Sequence, residues 1–197
     1  MNEKVKIAID TMGSETPLAE IIKALNESLL RNLDIFFYIF GNKHEIDKVI
    51  LKYQNLSSQS EIIHCEEFVR MEDKPSEAIR KKKNSSMSLS IEHVKLGKSD
   101  AVLSCGNTGA LMAMSIMHLK TLPNIKRPSI ASIWPNLKSE SIVLDLGANI
   151  KNESSSLVDN AILGVSLAKI LFDMENPSVG ILNVGTEDLK GNDIVKK

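Results

Sequence analysis

Ser104-Cys-Gly-Asn-Thr-Gly-Ala-Leu-Met-Ala113 follows the apolar run Ala101-Val-Leu103 and leads through two glycines into a further apolar stretch, Leu111 to Met117. A buried strand, a glycine turn and a helix in that order make an anion site. The first amides of a helix have no partner inside it, and its N-terminus carries roughly half a positive charge, so phosphate or carboxylate binds there. Gly106 and Gly109 put no side chain in a ligand's way, and Asn107 and Thr108 supply short donors. The chemistry is phosphate handling, and the turn alone names no reaction.

Three other turns follow predicted strands and share small or polar residues: Asp10-Thr-Met-Gly13, Asp145-Leu-Gly-Ala-Asn149 and Asn183-Val-Gly-Thr-Glu187. Four such turns at one end of a sheet would line one crevice, although Gly and Asp also occur in any strand-to-helix turn. None matches Gly-x-Gly-x-x-Gly or Gly-x4-Gly-Lys-Ser/Thr, which disfavours dinucleotide and ATP sites. Arg80-Lys-Lys-Lys83, beside Asn84-Ser-Ser86, has two readings. It is a solvated helix face, or Arg80 pairs a phosphate while the lysines attract an acidic partner. Lys126-Arg127-Pro128 reads as a solvated loop before a strand. Cys105 has the setting of an activated nucleophile, but no histidine is near it in sequence, and a small buried thiol is the plainer reading. His64 and His118 read as structural, and Met112, Met114 and Met117 as core contacts.

The elements that position these residues follow from apolar spacing. Lys4 to Ile9, Ile35 to Phe40, Glu61 to Cys65 and Ala101 to Ser104 read as strands, as do Ile130 to Trp134, Ile142 to Leu144 and Val179 to Val184. Leu18 to Arg31, with Leu18, Ile21, Ile22, Leu25 and Leu29 at the helical period, is a helix that Pro17 is suited to start. Lys43 to Tyr53, Ser76 to Lys83, Met87 to Leu96 and Thr108 to Leu119 are further helices. Serines of Asn84-Ser-Ser86 cap one, and Gly97 ends it. In Leu157 to Phe172, Leu157, Ala161, Val165, Ala168 and Phe172 share a face. Alternating strands and helices predict an α/β fold with a mainly parallel sheet and helices on both faces. No linker or repeat interrupts residues 1–197, so one continuous domain is expected. The last residues, Gly185 to Lys197, open another loop and helix.

The chain has 197 residues, 43% of them hydrophobic, and a mean hydropathy of −0.06, enough for a real core. No apolar run approaches the ~20 residues of a membrane span, and Met-Asn-Glu-Lys at the start lacks signal-peptide character, so a cytoplasmic location is expected. Cys65 and Cys105 have no metal-ligand spacing and read as free thiols, and His44, His64, His93 and His118 lack zinc pairing. A formal charge of −1 and a pI of about 6.4 argue against general nucleic-acid binding.

Taken in order, several of these motifs closely resemble one family, the phosphate acyltransferases of bacterial phospholipid synthesis, called PlsX. They are Asp10-Thr-Met-Gly13, Arg80-Lys-Lys-Lys-Asn-Ser-Ser-Met87, Gly106-Asn-Thr-Gly-Ala-Leu-Met112, Arg127-Pro128, Asp145-Leu-Gly-Ala-Asn149 and Leu182-Asn-Val-Gly-Thr-Glu-Asp-Leu-Lys-Gly-Asn192. The resemblance implies a Rossmann-like three-layer α/β/α fold similar to isocitrate and isopropylmalate dehydrogenases. It implies a homodimer that moves an acyl group from acyl carrier protein to inorganic phosphate. The acyl phosphate feeds a membrane glycerol-3-phosphate acyltransferase of the PlsY type, which also implies peripheral association with the inner face of the membrane. The chemistry requires no enzyme nucleophile, metal or redox cofactor.

Carried onto this sequence, Gly106, Asn107, Thr108, Gly109 and Arg80 bind phosphate. Asn107, Asp145 and Asn149 take the catalytic roles. Asp10, Lys81, Lys82, Lys83, Arg127, Thr186 and Glu187 bind substrate or carrier protein, with Asp10, Asp145 and Asn149 orienting the reacting groups. Two departures stand out. Ser14-Glu15 replaces the family's Gly-Asp, and Ile150-Lys151 stands where an acid is usual. The family also continues through an Asp-Gly-Phe-Thr-Gly-Asn turn and an amphipathic helical pair, so a fold incomplete at its C-terminus, with reduced or no activity, is expected. A phosphotransacetylase-like enzyme using acyl coenzyme A and a non-catalytic remnant are the competing readings.

Overall fold

The computed structural model describes residues 4–31, 34–137, 139–146 and 154–183. They fall into two units, Met1–Lys120 and Thr121–Lys197. The first unit runs β1 (Val5–Asp10), α1 (Leu18–Arg31), β2 (Ile35–Gly41), α2 (Lys43–Ile50), α3 (Gln54–Ser58) and β3 (Ser60–His64). It continues with α4 (Pro75–Lys81), α5 (Ser86–Lys95), β4 (Ala101–Ser104) and α6 (Thr108–Leu119). Its four strands form one parallel sheet in the order β3-β2-β1-β4.

Why the central strands read as unbroken apolar runs is plain from their packing. Successive residues of a strand face opposite sides of the sheet, and here both sides are covered. Ile9, Phe37 and Ile39 pack with Ile21, Ile22, Leu25 and Leu29 of α1, Ile46 and Ile50 of α2, and Leu56 of α3. Their neighbours Ala8 and Phe40 turn the other way, to Cys65 and to Leu89 and Val94 of α5. Ala78 of α4, Met87 and Ile91 of α5, and Ala110 and Met114 of α6 form a further cluster with Val69.

Residues 18–31 and 108–119 are helical over the predicted spans. Ser85 caps α5 by accepting from the Ser88 amide at 3.3 Å, and Gly97 ends it at φ 67°. The helix predicted over Lys43 to Tyr53 stops at Ile50. Turns from Lys52 to the Val49 carbonyl (3.3 Å) and from Tyr53 to that of Ile50 (2.8 Å) redirect the chain into α3 and bring Leu56 into the core.

In the second unit, β5 (Ala131–Pro135) and β6 (Glu140–Leu144) form an antiparallel ribbon with Ile133 opposite Ile142, and α7 covers Ser154–Phe172. The expected inner face of α7, Leu157, Ala161, Val165, Ala168 and Phe172, is its less exposed one. Two expectations are corrected. Residues 179–183 form no strand, because a strand exists only where a neighbour accepts its backbone ladder, and Val179, Ile181 and Leu182 are exposed instead. And α7, at 19 residues, is long and apolar enough to cross a membrane by length and composition; Asp159 and Lys169 break its apolar run without lowering its average enough.

The phase of α1 gives a stability test. Ile22 is 0% exposed and Leu30 66% exposed. Ile22→Ala should cost about 2–5 kcal/mol in urea unfolding and Leu30→Ala under about 0.5 kcal/mol. Equal losses would mean that α1 packs by another face.

Candidate functional site

β1 and β4 are hydrogen-bonded neighbours whose register pairs Asp10 with Ser104, so both strands end side by side at the carboxyl edge of the sheet. The Asp10 carboxylate is 1% exposed. Its Oδ1 accepts from the Ser86 hydroxyl at 2.6 Å and the Met12 amide at 3.2 Å, and its Oδ2 accepts from the Ser104 hydroxyl at 2.7 Å. Ser104 Oγ accepts in turn from the Gly106 amide at 3.1 Å. One buried carboxyl thus ties the turn after β1, the turn after β4 and the first residue of α5. Burial raises its pKa, and the bonds from Ser86, Ser104 and Met12 hold it partly down. Placed there, Asp10 orients chain segments and presents nothing to a docking partner.

The turn after β4 ends in Asn107, the N-cap of α6. Its Oδ1 accepts from the Ala110 amide at 3.0 Å, and its Nδ2 donates to the carbonyls of Arg70 (3.2 Å), Met71 (2.8 Å) and Asp73 (2.9 Å). The amides of Thr108 and Gly109, the next donors of the helix start, have no acceptor among the described residues. Thr108 is exposed. These two amides and the α6 dipole are what the turn offers an anion.

The glycines serve a different end from the one their sequence suggests. A Cβ on Gly106 would sit 3.3 Å from both Met87 Cε and Ser104 Oγ, and one on Gly109 would sit 3.0 Å from Pro75 Cγ. Gly13, at φ +71°, would put its Cβ 1.8 Å from the Val69 carbonyl oxygen. Their missing side chains let α4, α5 and the 66–74 segment close on the turns.

Arg80 and Lys81 lie in the last turn of α4, Lys82 caps it, and Lys83 follows. All but the half-buried Lys82 are exposed. Lys81 pairs with Glu77 across one helical turn at 3.4 Å. The Gly109–Pro75 approach sets the start of α4 beside α6, which places Arg80 about 7.5 Å further along the α4 axis. In the second unit, Arg127 is exposed, and Asp145 adopts φ 62° with its amide donating to the Ile130 carbonyl at 2.9 Å. Asn149, Thr186 and Glu187 lie outside the described residues.

Asp10, Gly106, Asn107, Thr108 and Gly109 are therefore brought together. Ser86, Ser104 and the Arg70–Asp73 turn join them unforeseen. Ser86 had a signal: of the serines in Asn84-Ser-Ser86, Ser85 caps the helix and leaves the other hydroxyl for Asp10. Cys105 is exposed, against the expectation of a buried thiol, because its side chain lies outside the β4–α6 packing. Cys65 is the buried thiol, pushed up to about 11 by burial and then by the charge of Asp10. His118 bonds Ser88 Oγ at 3.1 Å, and burial lowers its pKa.

This α/β arrangement is shared with enzymes of known structure. A phosphotransacetylase from Streptococcus pyogenes superposes with a TM-score of 0.64 over 89% of this chain and 56% of that one, at 17% identity. The EutD phosphotransacetylase from Staphylococcus aureus gives 0.61 over 87% and 55%, also at 17% identity. The fold is thus that of the phosphotransacetylases. The sequence places the chain more narrowly: residues 5–197 match the fatty acid synthesis protein family, and the chain belongs to it. Relatives named phosphate acyltransferase include those of Azorhizobium caulinodans, 46% identical over 198 residues, and Xanthobacter autotrophicus, 44% identical over 198 residues. That of Mesorhizobium japonicum is 46% identical over 194 residues. The matches cover 98–100% of this chain, which spans 54–56% of the relatives' length.

The raised pKa of Asp10 predicts a pH effect. A carboxyl that holds its proton more tightly when folded adds stability below the ordinary aspartate value of 3.8 and loses it as pH rises through the raised value. Asp10→Asn has no such proton. The unfolding free energy of the unchanged chain minus that of the variant should therefore fall as pH rises above the ordinary aspartate value of 3.8. A difference independent of pH would contradict the buried placement.

Proposed function

We propose that this chain serves acyl transfer from a thioester to inorganic phosphate. The observation that carries the reading is the amide turn at the start of α6, braced from beneath by the Asp10–Ser104–Gly106 chain of hydrogen bonds, in a member of a family whose relatives are named phosphate acyltransferases. The amides of Thr108 and Gly109 hold phosphate oxygens and take up part of their charge. A third phosphate oxygen attacks the thioester carbonyl. The new C–O bond forms, the C–S bond breaks, the thiolate takes up the proton that the attacking hydrogen phosphate sheds, and acyl phosphate leaves. Holding phosphate against the carbonyl is the main contribution asked of the protein, together with hydrogen bonds to the oxyanion as charge develops.

The finer reading names the donor as acyl carrier protein. Arg80, Lys81 and Lys83 are exposed and Lys82 half-buried in a basic strip suited to an acidic carrier, and Arg127 of the second unit is exposed as well. Asp145, Asn149, Thr186 and Glu187 take the orienting and substrate roles that the family motifs give them. A homodimer, product hand-off to a membrane glycerol-3-phosphate acyltransferase, and a cytoplasmic, membrane-peripheral location complete the proposal. The fold it shares with phosphotransacetylases favours acyl coenzyme A as the second reading.

Side-by-side assays with acyl carrier protein and coenzyme A thioesters, reading acyl phosphate as its hydroxamate, separate these. Faster turnover of the carrier thioester is expected. Reversing Lys81, Lys82 and Lys83 to glutamate should then raise KM for the carrier about tenfold and leave KM for phosphate unchanged. Preference for the coenzyme A thioester would establish the second reading, and no product from either would overturn both.

A further inference from the structure

We propose that Asn107 is a positioning residue, which acts on the anion site by holding the Arg70–Asp73 turn against the start of α6 and not by touching the reacting atoms. The proposal rests on the reading that phosphate binds at the first turn of α6.

The Asn107 side chain has nothing left to give a substrate. It is 8% exposed, its carbonyl oxygen caps the Ala110 amide, and its NH2 group faces the carbonyls of Arg70, Met71 and Asp73 within 3.2 Å. An amide NH2 has two hydrogens, so three acceptors at these distances saturate it. A donor to an oxyanion would have to leave carbonyls that it now holds.

The turn that it holds is fixed from several sides. The Arg70 amide donates to Asp73 Oδ2 at 2.9 Å, and the Asp73 amide to the Arg70 carbonyl at 3.2 Å. Val69, just before, is 1% exposed, and its carbonyl occupies the space that a side chain on Gly13 would need. Glu67 accepts from the Ser86 amide at 2.9 Å through its carbonyl and from the Asn84 amide at 3.2 Å through its carboxylate. Residues 67–73 are thus bound to the start of α5, the turn after β1 and the start of α6. They then pass into Pro75, whose ring lies 3.0 Å from the position of a Cβ on Gly109. The segment forms the wall beside the Thr108 and Gly109 amides, and Asn107 sets where that wall stands.

Two variants of the full chain separate positioning from contact. Asn107→Ser keeps an N-cap oxygen and removes the NH2 donors, while Asp73→Ala loosens the same turn from its own side and leaves Asn107 intact. Hydrogen exchange at the amides of residues 70–74 and calorimetric titration with inorganic phosphate are measured on both. In Asn107→Ser, exchange at residues 70–74 should rise about tenfold with that of residues 112–119 unchanged, and the phosphate Kd should rise about tenfold. Asp73→Ala should move both in the same direction, by about threefold. Weaker phosphate binding in Asn107→Ser with residues 70–74 still protected, and no change of Kd in Asp73→Ala, would mean direct contact and overturn the proposal. A loosened turn with unchanged Kd in both variants would overturn it too. Absence of phosphate binding to the unchanged chain would bring down the underlying reading, and the proposal with it.

Discussion

The first unit depends on a constraint at the carboxyl edge of its sheet. Two parallel strands, β1 and β4, end side by side, and each must release its chain into a turn whose polar backbone sits next to the core. Asp10 meets that constraint by accepting from both turns and from the start of α5. Leaving such donors buried without an acceptor would cost about 1–3 kcal/mol each. Burying a carboxyl carries its own cost, visible in the raised pKa, and three donors offset it in part. A group held this firmly positions the amides around it.

The same economy of donors divides the labour in the turn after β4. The Gly106 amide is committed to Ser104 and that of Ala110 to Asn107, while those of Thr108 and Gly109 have no acceptor among the described residues. The exposed pair Lys81–Glu77 belongs to a different order of effect, worth a few tenths of a kcal/mol. In the proposed reading the basic strip bears on which partner approaches, and the buried network on whether the amide turn has a fixed shape.

Much of the fold was legible in its apolar patterning. The range of α1 follows from apolar spacing after Pro17, that of α6 from an apolar stretch after a glycine turn, and β2 from an unbroken apolar run that suits a doubly covered strand. The sequence signal failed where tertiary contacts decide. Residues 179–183 have the composition of a strand and no ladder to join. α2 stops short because Leu56 must reach the core. Asp10 stood out as the end of a strand, yet its partners Ser86 and Ser104 lie 76 and 94 residues away, and serine has no pattern that announces a buried carboxylate. The Arg70–Asp73 turn was invisible for a simpler reason: Asn107 grips its carbonyls, which every residue has. The glycines also admit neighbours that their type does not announce: Met87 at Gly106, Pro75 at Gly109 and the Val69 carbonyl at Gly13.

The central claim is that the amides of Thr108 and Gly109 are the anion-binding groups of the first unit. Titrating the 15N-labelled chain with inorganic phosphate and following each amide resonance tests it most directly. Saturable shifts largest at Thr108 and Gly109, with Gly106 and Ala110 moving less, are the predicted result. Shifts centred on Lys81 to Lys83, with the α6 start unmoved, would contradict it.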